Sequence, residues 1–237
     1  MSNSYFHFKQ FTVQQDQCAM KVSTDACIFG AWFSSRVPPN SRILDLGAGT
    51  GLLMLMLAQK MDAEIHGIEL DDSAFQQLKK NIEGCRWVER LRVFPGDARS
   101  YCFPMKYDFI ISNPPFYTNN LLSDSHAKNI AKHGLELNME ELLRILDENL
   151  QPNGSFGILL PFHRSGHFEM LAQGFHFYPM EKLWVAARPK RQYFRSITQF
   201  SRERILSIPE TDLVIQPDDQ VYSQEFTALM KDYYLYL

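Results

Sequence analysis

Three observations predict an α/β fold: a doubly wound, mostly parallel sheet with a C-terminal antiparallel hairpin. From residue 42 onward, short apolar runs alternate with longer amphipathic stretches, the rhythm of βαβ units covered on both faces. Glycines stand at Gly47, Gly49 and Gly51, where the first run gives way to the first amphipathic stretch. Late in the chain, two runs rich in aromatic and β-branched residues flank the turn Arg188-Pro189-Lys190-Arg191-Gln192.

The elements follow in order. Thr24 or Asp25 can cap a helix running to about Phe33. A strand over 43–46 leads to a helix over 52–61, and a strand over 65–70 to a helix over 73–82. Strands over 91–94 and 107–112 come next, then a helix over 139–150 stopped by Pro152-Asn153-Gly154, then a buried strand over 156–160. The hairpin strands span 175–187 and 193–200. Short apolar runs at 205–208 and 213–215 and a helix over 223–234 complete the chain.

The chain has 237 residues, enough for one domain with appendages and a real core. We read residues 1–237 as a single domain: an N-terminal extension (1–40), a ligand-binding core (41–162), and a terminal hairpin and helix (163–237). With 24 basic and 27 acidic residues the net charge is −3, so a polyanionic partner must meet a local patch. A hydrophobic share of 45% excludes intrinsic disorder. The longest apolar stretch, 51–58, is far short of the ~20 residues of a membrane span, and the polar start lacks a secretory core. A cytoplasmic protein with no membrane partner is expected. The four cysteines form no CxxC pair, and His163 and His167, at helical spacing, have no third ligand nearby, so neither a metal nor a disulfide framework is expected.

In Asp45-Leu46-Gly47-Ala48-Gly49-Thr50-Gly51 the glycines let the backbone approach a ligand, and the following helix start offers free N–H donors. A dinucleotide is one candidate ligand, but Leu52 stands where GxGxxG needs its third glycine, and no GK[ST] follows. An acid ahead of the glycines repels phosphates and attracts an ammonium group, which S-adenosylmethionine carries. Glu69, ending the second strand, stands where such folds set a carboxylate against a ribose diol. Asp97 can receive an adenine amine, with the Ala98 N–H meeting a ring nitrogen.

After the fourth strand comes Asn113-Pro114-Pro115-Phe116. Two prolines cannot continue a sheet, so they stiffen an extended segment and leave the carbonyls of Asn113 and Pro114 free to accept hydrogen bonds. Such acceptors can rotate an amine conjugated to an aromatic base or an amide and turn its lone pair toward an electrophile. Phe116 offers a stacking surface for a planar substrate.

Together these residues resemble the Class I S-adenosylmethionine-dependent methyltransferases, with their Rossmann-like fold, in the amino-methylating branch marked by [DNS]-P-P-[FYW]. Phe8-Lys9-Gln10-Phe11, Cys18-Ala19-Met20-Lys21-Val22-Ser23-Thr24-Asp25, Ile110 to Phe116, and Tyr222-Ser223-Gln224-Glu225-Phe226-Thr227-Ala228-Leu229 are similar to the bacterial tRNA(Val) adenine-N6-methyltransferase family. The resemblance covers most of the chain and implies methylation of the adenosine immediately 3′ of the anticodon (position 37). It implies that Asp45, Gly47, Gly49 and Gly51 meet the methionine part of the cofactor, with Lys21 and Thr24 nearby. Glu69 would meet the ribose, and Asp97 and Ala98 the adenine. Asn113 and Pro114 would hold the target amine, Pro115 would line the substrate site, and Phe116 would stack on the base. Ser23 and Phe116 depart from the Gly and Tyr frequent in that family.

A route to RNA binding despite the negative charge lies in Arg188, Lys190, Arg191, Arg195, Arg202 and Arg204, interleaved with Tyr193 and Phe194. The hairpin turn is expected on the same edge as the crevice, putting Arg188, Lys190 and Arg191 beside the target base. The segment 117–133, with Lys128 and Lys132, is placed to close over a flipped adenosine. Other planar amines remain open as acceptors, namely ribosomal RNA guanine or adenine, DNA adenine and protein glutamine. So do a non-catalytic RNA-binding module and a nicotinamide dehydrogenase. No obligate protein partner is implied.

Overall fold

In the computed structural model, residues 3–115, 138–218 and 221–237 are described. Near the N-terminus, β1 (Tyr5–His7) and β2 (Thr12–Gln14) form a separate antiparallel pair. The main sheet contains β3 (Arg42–Leu46), β4 (Glu64–Glu69), β5 (Leu91–Pro95), β6 (Tyr107–Ser112), β7 (Leu150–Pro161), β8 (Tyr178–Ala186), β9 (Arg195–Ser201) and β10 (Glu210–Val214). Their spatial order is β10-β8-β9-β7-β6-β3-β4-β5. Only β9 runs against the rest, antiparallel to both β7 and β8.

The described helices are α1 (Thr24–Phe33), α2 (Leu52–Lys60), α3 (Asp72–Glu83), α4 (Met139–Asn149), α5 (Phe162–Gly174) and α6 (Gln224–Met230). Successive residues of a buried strand face opposite layers, and the core divides accordingly. Ile43, Ile65, Phe109 and Ile197 pack with Phe29 and Phe33 of α1, Leu55 of α2, Leu78 of α3 and Phe226 of α6. Leu44, Ile68, Ile110 and Phe156 pack on the other side with Leu143 and Leu146 of α4 and Phe168 of α5. Every residue from Leu52 to Ala58 in α2 is buried, which explains why the longest apolar stretch in the chain is a helix closed in on all sides. By contrast α4 is amphipathic, and a reciprocal capping box between Asn138 and Glu141 fixes its start.

Several boundaries differ from the sequence reading. Ser23, with no side-chain cap bond, is the N-cap of α1, and Thr24 and Asp25 lie inside the helix. Asp25 instead accepts from Arg195 Nε at 2.6 Å, tying the start of α1 to the start of β9. Pro152-Asn153-Gly154 does not sit between elements. It lies within β7, where the pairing shifts from Tyr107↔Leu150 to Phe109↔Ser155, so the turn-forming residues are absorbed as a bulge. Residues 205–208 form no strand, and β10 begins instead at Glu210, where exposed Glu210 and Asp212 conceal its strand character in the sequence.

The carboxyl ends of the parallel strands define one edge. Because β9 runs back, its first residue Arg195 also lies there, opposite Pro161 at the end of β7. The turn joining β8 to β9 therefore emerges on the edge where β3, β4 and β6 end. Among the described residues, no helix is long and apolar enough to cross a membrane.

Candidate active site

A cleft of about 340 Å³ opens on that edge. Its wall takes Gly47 and Gly49 after β3, Glu69 at the end of β4, Asp97 and Ala98 after β5, and Asn113, Pro114 and Pro115 after β6. Successive parallel strands thus deliver residues distant in the chain to one place, as expected at the carboxyl edge of such a sheet.

The glycine loop is left-handed at Gly47, Gly49 and Gly51, with φ of +77°, +55° and +80°. A Cβ on Gly47 would meet nothing within 4 Å, so backbone conformation, not crowding, requires glycine there. Gly51 sits where the loop meets the helix. It is the N-cap of α2, a Cβ there would lie 2.7 Å from Leu78 Cδ1, and it is not on the cleft wall. The loop is pinned by Gly47 N–H and Ala48 N–H donating to the Ile68 carbonyl, and by Gly49 N–H donating to Glu69 Oε2 at 2.8 Å. The other Glu69 oxygen accepts from Asp71 N–H at 2.9 Å. Each oxygen retains acceptor capacity for one hydroxyl of a diol.

Asp45 lies beneath the loop, outside the cleft wall, and is only 1% exposed. Neither carboxyl oxygen has a hydrogen-bond partner in the protein. Burial, reinforced by the charge of Glu69, pushes its pKa up to about 8. A buried acceptor without a donor is costly, and a cationic group bringing N–H donors is the complement it lacks. These acceptors fit S-adenosylmethionine, whose ammonium, ribose diol and adenine amine would supply the donors that Asp45 lacks and that Glu69 and Asp97 can still accept.

Arg99 braces Asp97. Its Nε lies 3.0 and 2.9 Å from the two Asp97 oxygens, Nη2 lies 2.6 Å from Oδ2, and its backbone N–H donates to Oδ1 at 2.9 Å. This fork holds Asp97 below the usual carboxylate range. Three N–H groups fill three of about four lone-pair sites, leaving one for an incoming amine. On the opposite wall Cys18 is half-buried, and burial with the nearby charges of Glu69, Asp71 and Asp16 pushes its thiol up to about 11, so it stays protonated.

Not every expected residue reaches the cleft. Lys21 and Thr24 are exposed and off its wall; Lys21 Nζ lies 3.4 Å from the Asn3 carbonyl, and the segment meets the cleft earlier, through Cys18, Ala19 and Met20. Arg188, Lys190 and Arg191 are exposed on the same edge but outside the cleft. The rest of the basic run is dispersed. Arg195 is bonded to Asp25, while Arg202, bonded to Asp147 at 2.7 Å, and Arg204, over the Tyr178 ring, follow β9 at the far edge. Phe194 is half-buried and packs against the core, with the Arg195 guanidinium 5.3 Å from its ring centroid. Phe116 and the segment 117–133 lie outside the described residues.

Sequence reasoning missed Cys18, Ala19, Met20, Arg99 and Ser112. Arg99 had a readable signal, a base two residues after a candidate acid. Ser112 is buried and donates its hydroxyl to the Leu46 carbonyl, bracing β6 against β3 just before Asn113. Among the described residues, no group of three or more His, Cys, Asp or Glu is arranged to hold a metal ion.

Residues 30–167 match the family model of the methyltransferase small domain. The chain is also similar to a solved structure titled as a predicted O-methyltransferase from Agrobacterium tumefaciens, with a TM-score of 0.68 at 16% identity, over 87% of this chain and 95% of that one. That likeness shows the fold. At the level of sequence, the chain is 41% identical to a tRNA1(Val) (adenine(37)-N6)-methyltransferase from Dyadobacter fermentans, over 98% of each chain. A protein of the same name from Bacteroides fragilis is 38% identical over 99% of each. The chain belongs to the tRNA1(Val) (adenine(37)-N6)-methyltransferase family.

Proposed function

We propose that the protein transfers a methyl group from S-adenosylmethionine to the N6 amine of adenosine 37 in a valine tRNA, in the cytoplasm, without a metal ion or an obligate protein partner. The observation that carries this reading is the unpaired, buried Asp45 beneath a cleft whose far wall ends in Asn113-Pro114-Pro115. The buried carboxyl beneath the glycine loop lacks the donors that a cation would bring, and the cleft presents carbonyl acceptors suited to an amine.

When bound, S-adenosylmethionine supplies a sulfonium methyl that an amine nitrogen takes in an in-line displacement, the C–S electron pair returning to sulfur. The protein's contribution is orientation and electrostatic placement. The carbonyls of Asn113 and Pro114 would accept the amine hydrogens and turn the nitrogen lone pair out of conjugation. The Pro114-Pro115 pair keeps those acceptors rigid. Phe116 would stack on the adenine. Methylation makes the nitrogen far more acidic, so its proton can pass to water held by Asn113 without a strong general base. The protonated Cys18 thiol takes no part as a nucleophile.

Arg188, Lys190 and Arg191 would meet phosphates beside the target base. The test is transfer of labelled methyl from S-adenosylmethionine to purified tRNA, duplex DNA and a glutamine peptide in parallel. Label confined to tRNA is the expected result. Label in DNA or peptide in its place would retain the amino-methylating chemistry and overturn the substrate.

A further inference from the structure

Three aromatic rings near the hairpin belong to neither core cluster. Phe162 opens α5, Trp184 lies on β8 and Tyr193 precedes β9, and all three are only partly buried. Ring centroids are 5.3 Å apart for Phe162 and Trp184, 5.3 Å for Phe162 and Tyr193, and 6.2 Å for Trp184 and Tyr193, whose planes are inclined by 30°. The indole Nε1–H donates to Glu210 Oε2 at 3.0 Å, and the Tyr193 hydroxyl to Asp212 Oδ1 at 2.8 Å. These bonds fix the rings by their polar ends. An aromatic cluster outside the core, held rigid and partly exposed, contributes little to burial and offers flat surface to a ligand.

Register places it relative to the reacting end of the cleft. Trp184 pairs with Ser196, and Ser196 with Leu160. Two residues before Leu160, Ile158 pairs with Ser112. Trp184 therefore stands as far along the sheet as the chain reaches two residues beyond Ser112, the level of Pro114. Three strand spacings separate them, about 14 Å, the length of roughly four stacked nucleotides at ~3.4 Å each. Between Trp184 and Tyr193 in sequence lies the turn that exposes Arg188, Lys190 and Arg191. The acids at the other side of the cluster are engaged: Glu210 by Trp184 and, at 3.7 Å, by Lys182, and Asp212 by Tyr193.

We propose that Phe162, Trp184 and Tyr193 form a stacking platform for a second base of the same RNA loop, about four nucleotides from the one methylated. The proposal rests on the RNA reading above and adds where the loop is gripped. Flat rings beside cations suit a single-stranded nucleic acid, whose bases stack and whose phosphates pair. An acidic peptide would use the cations and leave the rings idle.

Tryptophan fluorescence tests it on the intact protein with an unmodified valine tRNA transcript. Saturating tRNA should quench the emission, and the quench should disappear in Trp184→Phe. Trp184→Ala should raise KM for tRNA roughly ten- to a hundredfold, with cofactor Kd and kcat unchanged. Emission from Trp184 that is blind to saturating tRNA, in protein that transfers methyl normally, would overturn the platform and leave the substrate reading standing; this arm decides even where Trp184→Ala fails to fold. Quenching of Trp184 by a poly-glutamate peptide, with none by tRNA, would also overturn it. Absence of any methyl transfer to tRNA by the wild type would remove the substrate reading, and the platform with it.

Discussion

The two halves of the sheet edge assemble their charged residues by different rules. In the half formed by β3, β4, β5 and β6, every strand runs the same way, so a residue just past a strand's end reaches the cleft: Gly47, Glu69, Asp97 and Asn113 meet there although far apart in the chain. In the half formed by β7, β8, β9 and β10, one strand runs backwards. Arg188 to Arg191 precede β9 and Arg202 to Arg204 follow it, so a run that is continuous in sequence is divided between opposite edges by a seven-residue strand. Parallel strands gather what the sequence scatters, whereas an antiparallel strand scatters what the sequence gathers.

Among substitutions, the largest effect belongs to the gathered half. Asn113→Ala should lower methyl transfer by roughly 10²–10³-fold or more, the scale of losing one preorganised hydrogen-bonding group, while cofactor binding measured by calorimetry stays near wild type. Loss of both together would assign Asn113 a structural role.

Asp45→Asn should weaken cofactor binding roughly 10- to 100-fold, the scale of a charge-assisted hydrogen bond. Its pH signature is specific. The Asp45 carboxyl is held near 8 in the folded protein, above its unfolded value, so the ligand-free fold retains a proton the unfolded chain has released. That contribution is complete below about pH 4 and is lost as pH rises toward 8, with a slope of at most ~1.4 kcal/mol per pH unit. Denaturant titrations of ligand-free wild type should show this decline, and Asp45→Asn should flatten it. Cofactor affinity should in turn rise with pH up to about 8, as the carboxylate forms more readily against the ammonium.

The divided basic run yields a paired prediction of smaller size. Replacing Arg188, Lys190 and Arg191 together by Ala should raise KM for tRNA and reduce the salt dependence of binding by about 2–3 in log–log slope. The pair Arg202→Ala and Arg204→Ala should leave both unchanged, and an equal effect from the two sets would contradict the division by β9. The smallest effect is expected from Arg99→Met, which removes the fork on Asp97. Cofactor affinity should fall roughly three- to tenfold, more steeply as pH drops below about 5 and the unsupported carboxylate takes up a proton.

The sequence was legible where local chemistry and strand direction agree. The alternation from residue 42 specified the parallel half because β3, β4 and β6 are almost wholly buried and β5, at the sheet edge, still buries Leu91. Pro152-Asn153-Gly154 misled because turn residues also serve within a bulge. The start of β10 was hidden because an edge strand carries charges such as Glu210 and Asp212. At the site, glycine at position 51 is required by Leu78 and the left-handed cap, neither visible in a linear pattern. Lys21 and Thr24 were placed near the cofactor by resemblance alone, and the residues of their segment that line the cleft are Cys18, Ala19 and Met20.

On the function proposed above, this cleft brings a cofactor methyl to an adenine amine in a valine tRNA. The most direct measurement is transfer of labelled methyl from S-adenosylmethionine to total tRNA from cells lacking the protein, followed by nucleoside analysis of purified valine tRNA. Labelled N6-methyladenosine at position 37, lost with Asn113→Ala, is the expected result. Label absent from tRNA, in a preparation that binds the cofactor, would contradict it.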